Sequence, residues 1–310
     1  MRRIQNKVAE SRKALPMAVL YSIAVWLLAG LIQGQWWIQF VLFVFSAFMM
    51  AHMNNVNVLI RIYSRMVSVS FVVLSTTAIF LFPSITGALV QLCFISSLMT
   101  FYNCYQDKES PGWTYYSFLC LGIGSIVDIH ILYFIPIFWL MMLIIVYSLS
   151  WRTFFASLAG LLTPYWFWVA WILWRHDGNI TTLVNHVSSL VDFEVPVPLT
   201  LQQVLLMVLV AVLGITGAIH FLRKSTHDKI RTRQLYYSFF IIGPSALIIL
   251  LFQPQHYDML IRIMIIAASP LIGHFLALTN TKLTNIAFYV IAAAILVLTL
   301  FNLWSSSFPS

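Results

Sequence analysis

Apolar runs long enough to cross a lipid bilayer recur along this chain from residue 15 to residue 304, and no polar block of domain length separates them. A helix needs about 20 apolar residues to span the roughly 30 Å hydrocarbon core. Runs of that kind fall near 15–33, 36–52, 66–82, 86–103, 113–127, 129–149, 153–174, 201–222, 235–253, 258–278 and 283–304. The second to the fifth are short or joined by very tight turns, so tilted or half-length helices fit them as well. Residues are 61% hydrophobic and only 8% charged, against roughly 25% charged in an average soluble domain. A soluble fold of this size could not bury so much apolar surface. The expectation is an all-α, polytopic transmembrane helical bundle of about eleven spans. A basic segment over 1–14 precedes one membrane domain over 15–304, and a short tail covers 305–310.

Charge placement bears on the span count, because each span added or lost moves every later loop to the other side of the membrane. With the N-terminus in the cytoplasm, the inner segments hold Arg2, Arg3, Lys7, Arg12, Lys13, Arg61, Arg65, Lys108, Arg152, Arg223, Lys224, Lys229, Arg231, Arg233 and Lys282. Only Arg175 and Arg262 fall outside, and the C-terminus is placed outside too. The same pattern explains the net charge of +8 by insertion, without a nucleic-acid partner. It points to a multi-pass protein of a cell inner membrane. The basic N-terminus followed by an apolar run from Leu15 has the outline of a signal peptide. It lacks a small-residue cleavage site and reads as a span that stays in place.

The acids lean the other way. Asp128, Asp177, Asp192, Glu194 and Asp258 fall on the outer side with His130, His176, His186 and His256. Acids contribute little to topology, so insertion does not account for their collection there. Asp128 and His130 sit in the tight turn SIVDIHILYFIP, where an extended backbone would point both side chains the same way. They are the catalytic candidates: the Asp can orient the imidazole or act as a general base, and the plainer reading is a turn-forming Asp beside an interfacial His. Arg262 lies four residues after Asp258, so the two share a helix face. Either they form a structural ion pair, or the guanidinium binds a phosphate or carboxylate at the outer boundary. Asp192 and Glu194 suit acid–base work or a divalent cation, yet solvated loops contain such pairs routinely. Arg262, Asp258, Asp192, Glu194 and His256 form the substrate-binding candidate set; no metal site or cofactor is expected.

The longest connection, 175–200, carries Leu183, Val187, Leu190 and Val191 at helical spacing. That pattern predicts a short amphipathic helix on the outer surface, ended by Pro196 and Pro198. His52 with Asn54, Asn55 and Asn57 reads as capping and interhelical hydrogen bonding. His220 and His274 read as packed bundle residues without carboxylate partners, and Pro136, Pro164, Pro244 and Pro270 as helix kinks. Cys93, Cys104 and Cys120 lack metal-ligand spacing and read as small buried hydrophobes. No Gly-rich phosphate loop, zinc pair or Gly-x-Ser-x-Gly elbow occurs, which argues against the common hydrolases and ATP-driven pumps.

The stretch from Gly122 to Trp166 resembles a family of uncharacterised polytopic inner-membrane proteins of the Bacteroidota. The matching features are the outward turn leading into Tyr133 and Pro136, the Ser150-Trp151-Arg152 turn, and Gly160 with Pro164 in the next span. The hairpin pattern is also similar to the membrane core of GT-C glycosyltransferases, which take a sugar from a polyprenyl-phosphate donor on the outer face. The resemblance implies chemistry at the outer helix ends. It departs at the first outer loop, where those enzymes carry a catalytic acid and this chain has Gln33-Gly34-Gln35.

Three readings follow. In the first, the chain is an envelope-assembly protein with a GT-C-like core that handles a polyprenyl-phosphate-linked sugar or related membrane lipid at the outer leaflet. Arg262 binds the donor phosphate in that reading, Asp128 is the candidate base, and 175–200 covers the site. The second is a non-catalytic scaffold for membrane-protein partners. The third is a secondary transporter, which His220, His274 and the interrupting prolines permit.

Overall fold

The computed structural model describes residues 3–174, 181–191 and 198–307, and among them every regular element is a helix. In chain order these are α1 (Ile4–Ala9), α2 (Ala14–Leu28), α3 (Trp37–Asn57), α4 (Met66–Thr77), α5 (Ile85–Phe101), α6 (Pro111–Val127) and α7 (Ile135–Ile144). There follow α8 (Trp151–Trp174), α9 (Thr181–Ser188), α10 (Leu201–Lys224), α11 (Ile230–Phe252), α12 (Tyr257–Leu278) and α13 (Lys282–Ser307). Seven of them, α3, α5 with the 3-10 turn that extends it to Cys104, α8 and α10 to α13, are long and apolar enough to cross a membrane. The chain is an integral membrane protein with a helical bundle.

The shorter apolar segments gain length from tighter winding. A six-residue 3-10 turn, Ile129–Phe134, runs into α7. At rises of about 2.0 and 1.5 Å per residue the two together reach roughly 27 Å, close to the hydrocarbon thickness. Pro136 sits in the first turn of α7, where no amide donor is required, and not at the kink expected from sequence. Pro164, Pro244 and Pro270 do lie inside α8, α11 and α12. α3 runs on to Asn57, so the Asn-rich stretch forms its last turn, and Val58 closes it in the left-handed conformation at φ 48°.

Helix α12 is the central post. Its span is 89% buried, against 22% for α13 and 28% for α8, so α12 alone among these has no face left for lipid. Between helices in hydrocarbon there is no aqueous hydrophobic drive, and small residues that let backbones approach supply the packing. Gly217 of α10 lies against the Leu271 backbone of α12, and Gly273 of α12 against the Val67 backbone of α4. Gly160 of α8 faces the Tyr115 carbonyl of α6, while Gly122 of α6 faces Leu161.

Contacts sort the connections into two ends. At the basic end the Gln5 amide donates to the Leu276 carbonyl at 2.8 Å, Ser64 donates to Ala9 at 2.8 Å and Ser150 to Lys108 at 2.9 Å. Arg231 there donates to Asn57 and to the Tyr102 carbonyl, each at 3.3 Å. At the opposite end Gln39 donates to the Pro83 carbonyl at 2.9 Å and Tyr257 to the Gln203 carbonyl at 2.8 Å.

Replacing Gly160 by Ala pushes a methyl group into the Tyr115 carbonyl and is expected to cost about 1–3 kcal/mol by overpacking. Gly112→Ala, in the exposed first turn of α6 with nothing within 4 Å of a new Cβ, is expected to be neutral or stabilising by up to about 1 kcal/mol. Thermal unfolding in detergent compares the two; equal melting temperatures would contradict the close α6–α8 packing.

Candidate functional site

At the acidic end α6 stops because Asp128 turns extended (φ −141°, ψ 108°) and its side chain caps the following 3-10 turn. The His130 amide donates to Asp128 Oδ1 at 3.1 Å, and His130 Nδ1 meets the same oxygen at 2.8 Å. Sequence left two geometries open at this turn; the extended one, which brings the side chains together, is observed. Nε2 of His130 faces the Ser189 carbonyl at 3.2 Å. Both ring nitrogens therefore meet oxygen acceptors. Burial alone would raise the Asp128 carboxyl, but the side-chain and backbone hydrogen bonds from His130, with the pull of His130 and His256, outweigh it. The carboxyl is held below its usual range.

His256, from the 3-10 turn that leads into α12, stacks on His130 with ring centroids 3.5 Å apart at 27°. Above this group lies α9, the amphipathic helix expected within 175–200, shortened to eight residues. It is fastened by its polar groups. His186 Nε2 donates to the Ser125 carbonyl at 2.8 Å, Trp168 packs edge-on to His186, and Tyr133 donates to the Leu190 carbonyl at 2.9 Å. Asp128, His130 and His256 thus come together beneath a docked helix. Asp192 and Glu194 lie outside the described residues, as do Arg175, His176 and Asp177.

Asp258 and Arg262 pair with each other and turn to a different wall. Arg262 Nε donates to Asp258 at 2.7 Å, Nη1 to Gln91 Oε1 at 2.8 Å and Nη2 to the Leu81 carbonyl at 2.7 Å. Asp258 in turn accepts from Ser84, the N-cap of α5, whose oxygen also receives the Gly87 amide. The side chain of Arg262 is 12% exposed, so it does not snorkel to the surface. Two guanidinium hydrogens remain, and Arg262 lines a cavity of about 20 Å³ with Trp26, Ser75 and Gln91. That volume admits about one water molecule and no phosphate group. The geometry favours the structural ion pair, a clasp that ties α12 to α5 and to the turn at Leu81.

A second polar cluster, absent from the sequence reading, occupies the basic end. His274 Nε2 lies 3.0 Å from Asp228 Oδ2, and its Nδ1 lies 3.4 Å from Nδ1 of His220. Arg61 approaches the other Asp228 oxygen at 3.9 Å. The expectation that these histidines lack a carboxylate is therefore corrected: Asp228, with its side chain 1% exposed, is that partner. It was hidden among the cations of 223–233, which read as a solvated loop. The usable clue was topological, since both His220 and His274 lie within four residues of same-side span ends. Among the described residues no group of three His, Cys, Asp or Glu is placed to hold a metal ion.

No protein-family model, curated protein or solved structure matches this chain.

Arg262→Gln leaves Asp258 without its charged partner and is expected to cost about 1–3 kcal/mol of stability. The double variant with Asp258→Asn is expected to recover at least half of that loss in a double-mutant cycle. Strictly additive losses would show that the clasp does not couple α12 to its neighbours.

Proposed function

We propose that this protein crosses a cell inner membrane eleven times with its N-terminus in the cytoplasm and its C-terminus outside. We further propose that it serves envelope assembly through a GT-C-like core, handling a polyprenyl-phosphate-linked sugar or related lipid at the outer leaflet. The convergence of Asp128, His130 and His256 beneath α9 carries this reading. Asp128 orients the His130 ring, as a carboxylate does for a general base. While α9 is docked, Nε2 carries the hydrogen that faces the Ser189 carbonyl; lifting α9 lets that proton pass to water, and the neutral ring, its Nδ1–H held by Asp128, then takes the proton of an acceptor hydroxyl at Nε2. The hydroxyl oxygen then bonds to the anomeric carbon as the bond to the polyprenyl phosphate breaks. This pair stands in for the acid missing from the Gln33-Gly34-Gln35 turn. Arg262, engaged by the protein, supports the wall of the mouth in this scheme.

Incubation of purified protein with a polyprenyl-phosphate sugar and a hydroxyl acceptor is expected to give transfer that His130→Ala lowers about 10²–10⁴-fold, the usual worth of a general base. Absence of both binding and transfer, with the cellular role of the His130→Ala variant intact, would dispose of the reading.

The Asp228–His274–His220 cluster, with Asp228 and His274 buried and His220 half-buried, favours a second reading, proton-coupled transport. It leads from Arg61, 38% exposed at the basic end, toward an apolar cleft of about 210 Å³ between α10, α11 and α12. Buried ionisable chains of this kind mark proton relays in membrane proteins. In liposomes under an imposed membrane potential, the protein is expected to pass protons at least tenfold faster than the Asp228→Asn variant; equal rates count against transport.

A further inference from the structure

The largest hollow described in the bundle, about 570 Å³, is not at the acidic end. It opens between α2, α4, α12 and α13, with α1 and α10 contributing to its walls, and nearly every group that lines it is apolar. Its polar lining comes from the Ser70 and Tyr21 hydroxyls, and Tyr21 is already bonded to Thr299 at 2.8 Å. The lining begins at Val8, Ala14, Met66 and Leu276 at the basic end and stops midway along α2 and α13 at Tyr21 and Leu296. From Phe288 to Leu296 the groove climbs about 12 Å at 1.5 Å per residue, most of the roughly 15 Å depth of one leaflet.

We propose that this groove seats one acyl chain of an anionic phospholipid from the leaflet at the basic end, with the headgroup phosphate held by the surrounding cations. Charge complementarity selects that occupant. Lys7, Lys13 and Arg65 immediately precede the lining residues Val8, Ala14 and Met66, and Lys282 opens the helix that forms the outer wall. Glu10 is the one acid in residues 3–13. Insertion accounts for cations on this side of the membrane, but not for an apolar hollow of one-leaflet depth directly beneath them. Basic clusters over pockets between membrane helices recognise anionic headgroups, each cation near the surface contributing about fivefold in affinity. An uncharged chain end in the hollow removes the penalty of leaving it empty, since lining atoms without neighbours lose their dispersion contacts. The site is independent of the chemistry proposed at the acidic end.

The test uses the wild-type chain in vesicles containing phosphatidylglycerol with a mid-chain diazirine, and the same label on phosphatidylcholine. Photolysis is expected to mark Tyr21, Phe288 or Ile291, with phosphatidylglycerol exceeding phosphatidylcholine by fivefold or more. Lys13→Gln and Lys282→Gln are each expected to reduce that excess by about fivefold. Ala292→Phe, which plugs the groove and leaves every cation in place, is expected to abolish labelling of the lining by both lipids. Equal labelling by the two lipids overturns the anionic specificity. Label confined to the outward residues Leu283, Val290 and Val297 overturns the groove itself, and this map needs no variant to fold.

Discussion

Close backbone approach around α12 is the constraint on which the rest of the structure depends. In lipid, a helix gains little by hiding apolar side chains from its surroundings, so association falls to van der Waals contact, interhelical hydrogen bonds and small residues. Gly217 brings α10 against α12 at Leu271 and Ile272, and the neighbouring Gly273 brings α4 against α12 at nearly the same height. The polar groups of the same helix then face protein on every side. That is why Asp258, Arg262 and His274 are tolerable within a span: each meets a partner, and none is left to hydrocarbon.

Much of the architecture was legible before any coordinates. Apolar runs located the seven long apolar helices to within a few residues at most ends, because length and hydropathy decide those elements directly. Departures arose where backbone geometry decides instead. Pro136 reads as a kink in a string of letters, yet the 3-10 turn before it shifts the proline into the first turn of a new helix. The amphipathic segment before residue 192 was visible from its period, but its docking rests on His186 and on the carbonyls of Ser189 and Leu190, which no periodicity reveals.

The candidate site was half legible for a similar reason. Asp128 and His130 are near neighbours in sequence, so one assumption about the turn sufficed to join them. His256 belongs with them in space, although sequence grouped it with Asp258 and Arg262 two and six residues later. The switch from a 3-10 turn to α-helix at Tyr257 sends these neighbours to different walls. Asp228 escaped because its partner His274 lies 46 residues away, and a carboxylate among five cations looks solvated until tertiary structure buries it.

Helix α12 is secured by polar side chains near both ends, by Asp258 and Arg262 against α5 at one and by His274 against Asp228 at the other. Sliding along its own axis would rupture both attachments at once. Such a rod would act as a stator: any rearrangement of the bundle that keeps these two attachments must leave α12 in place and be carried by its neighbours.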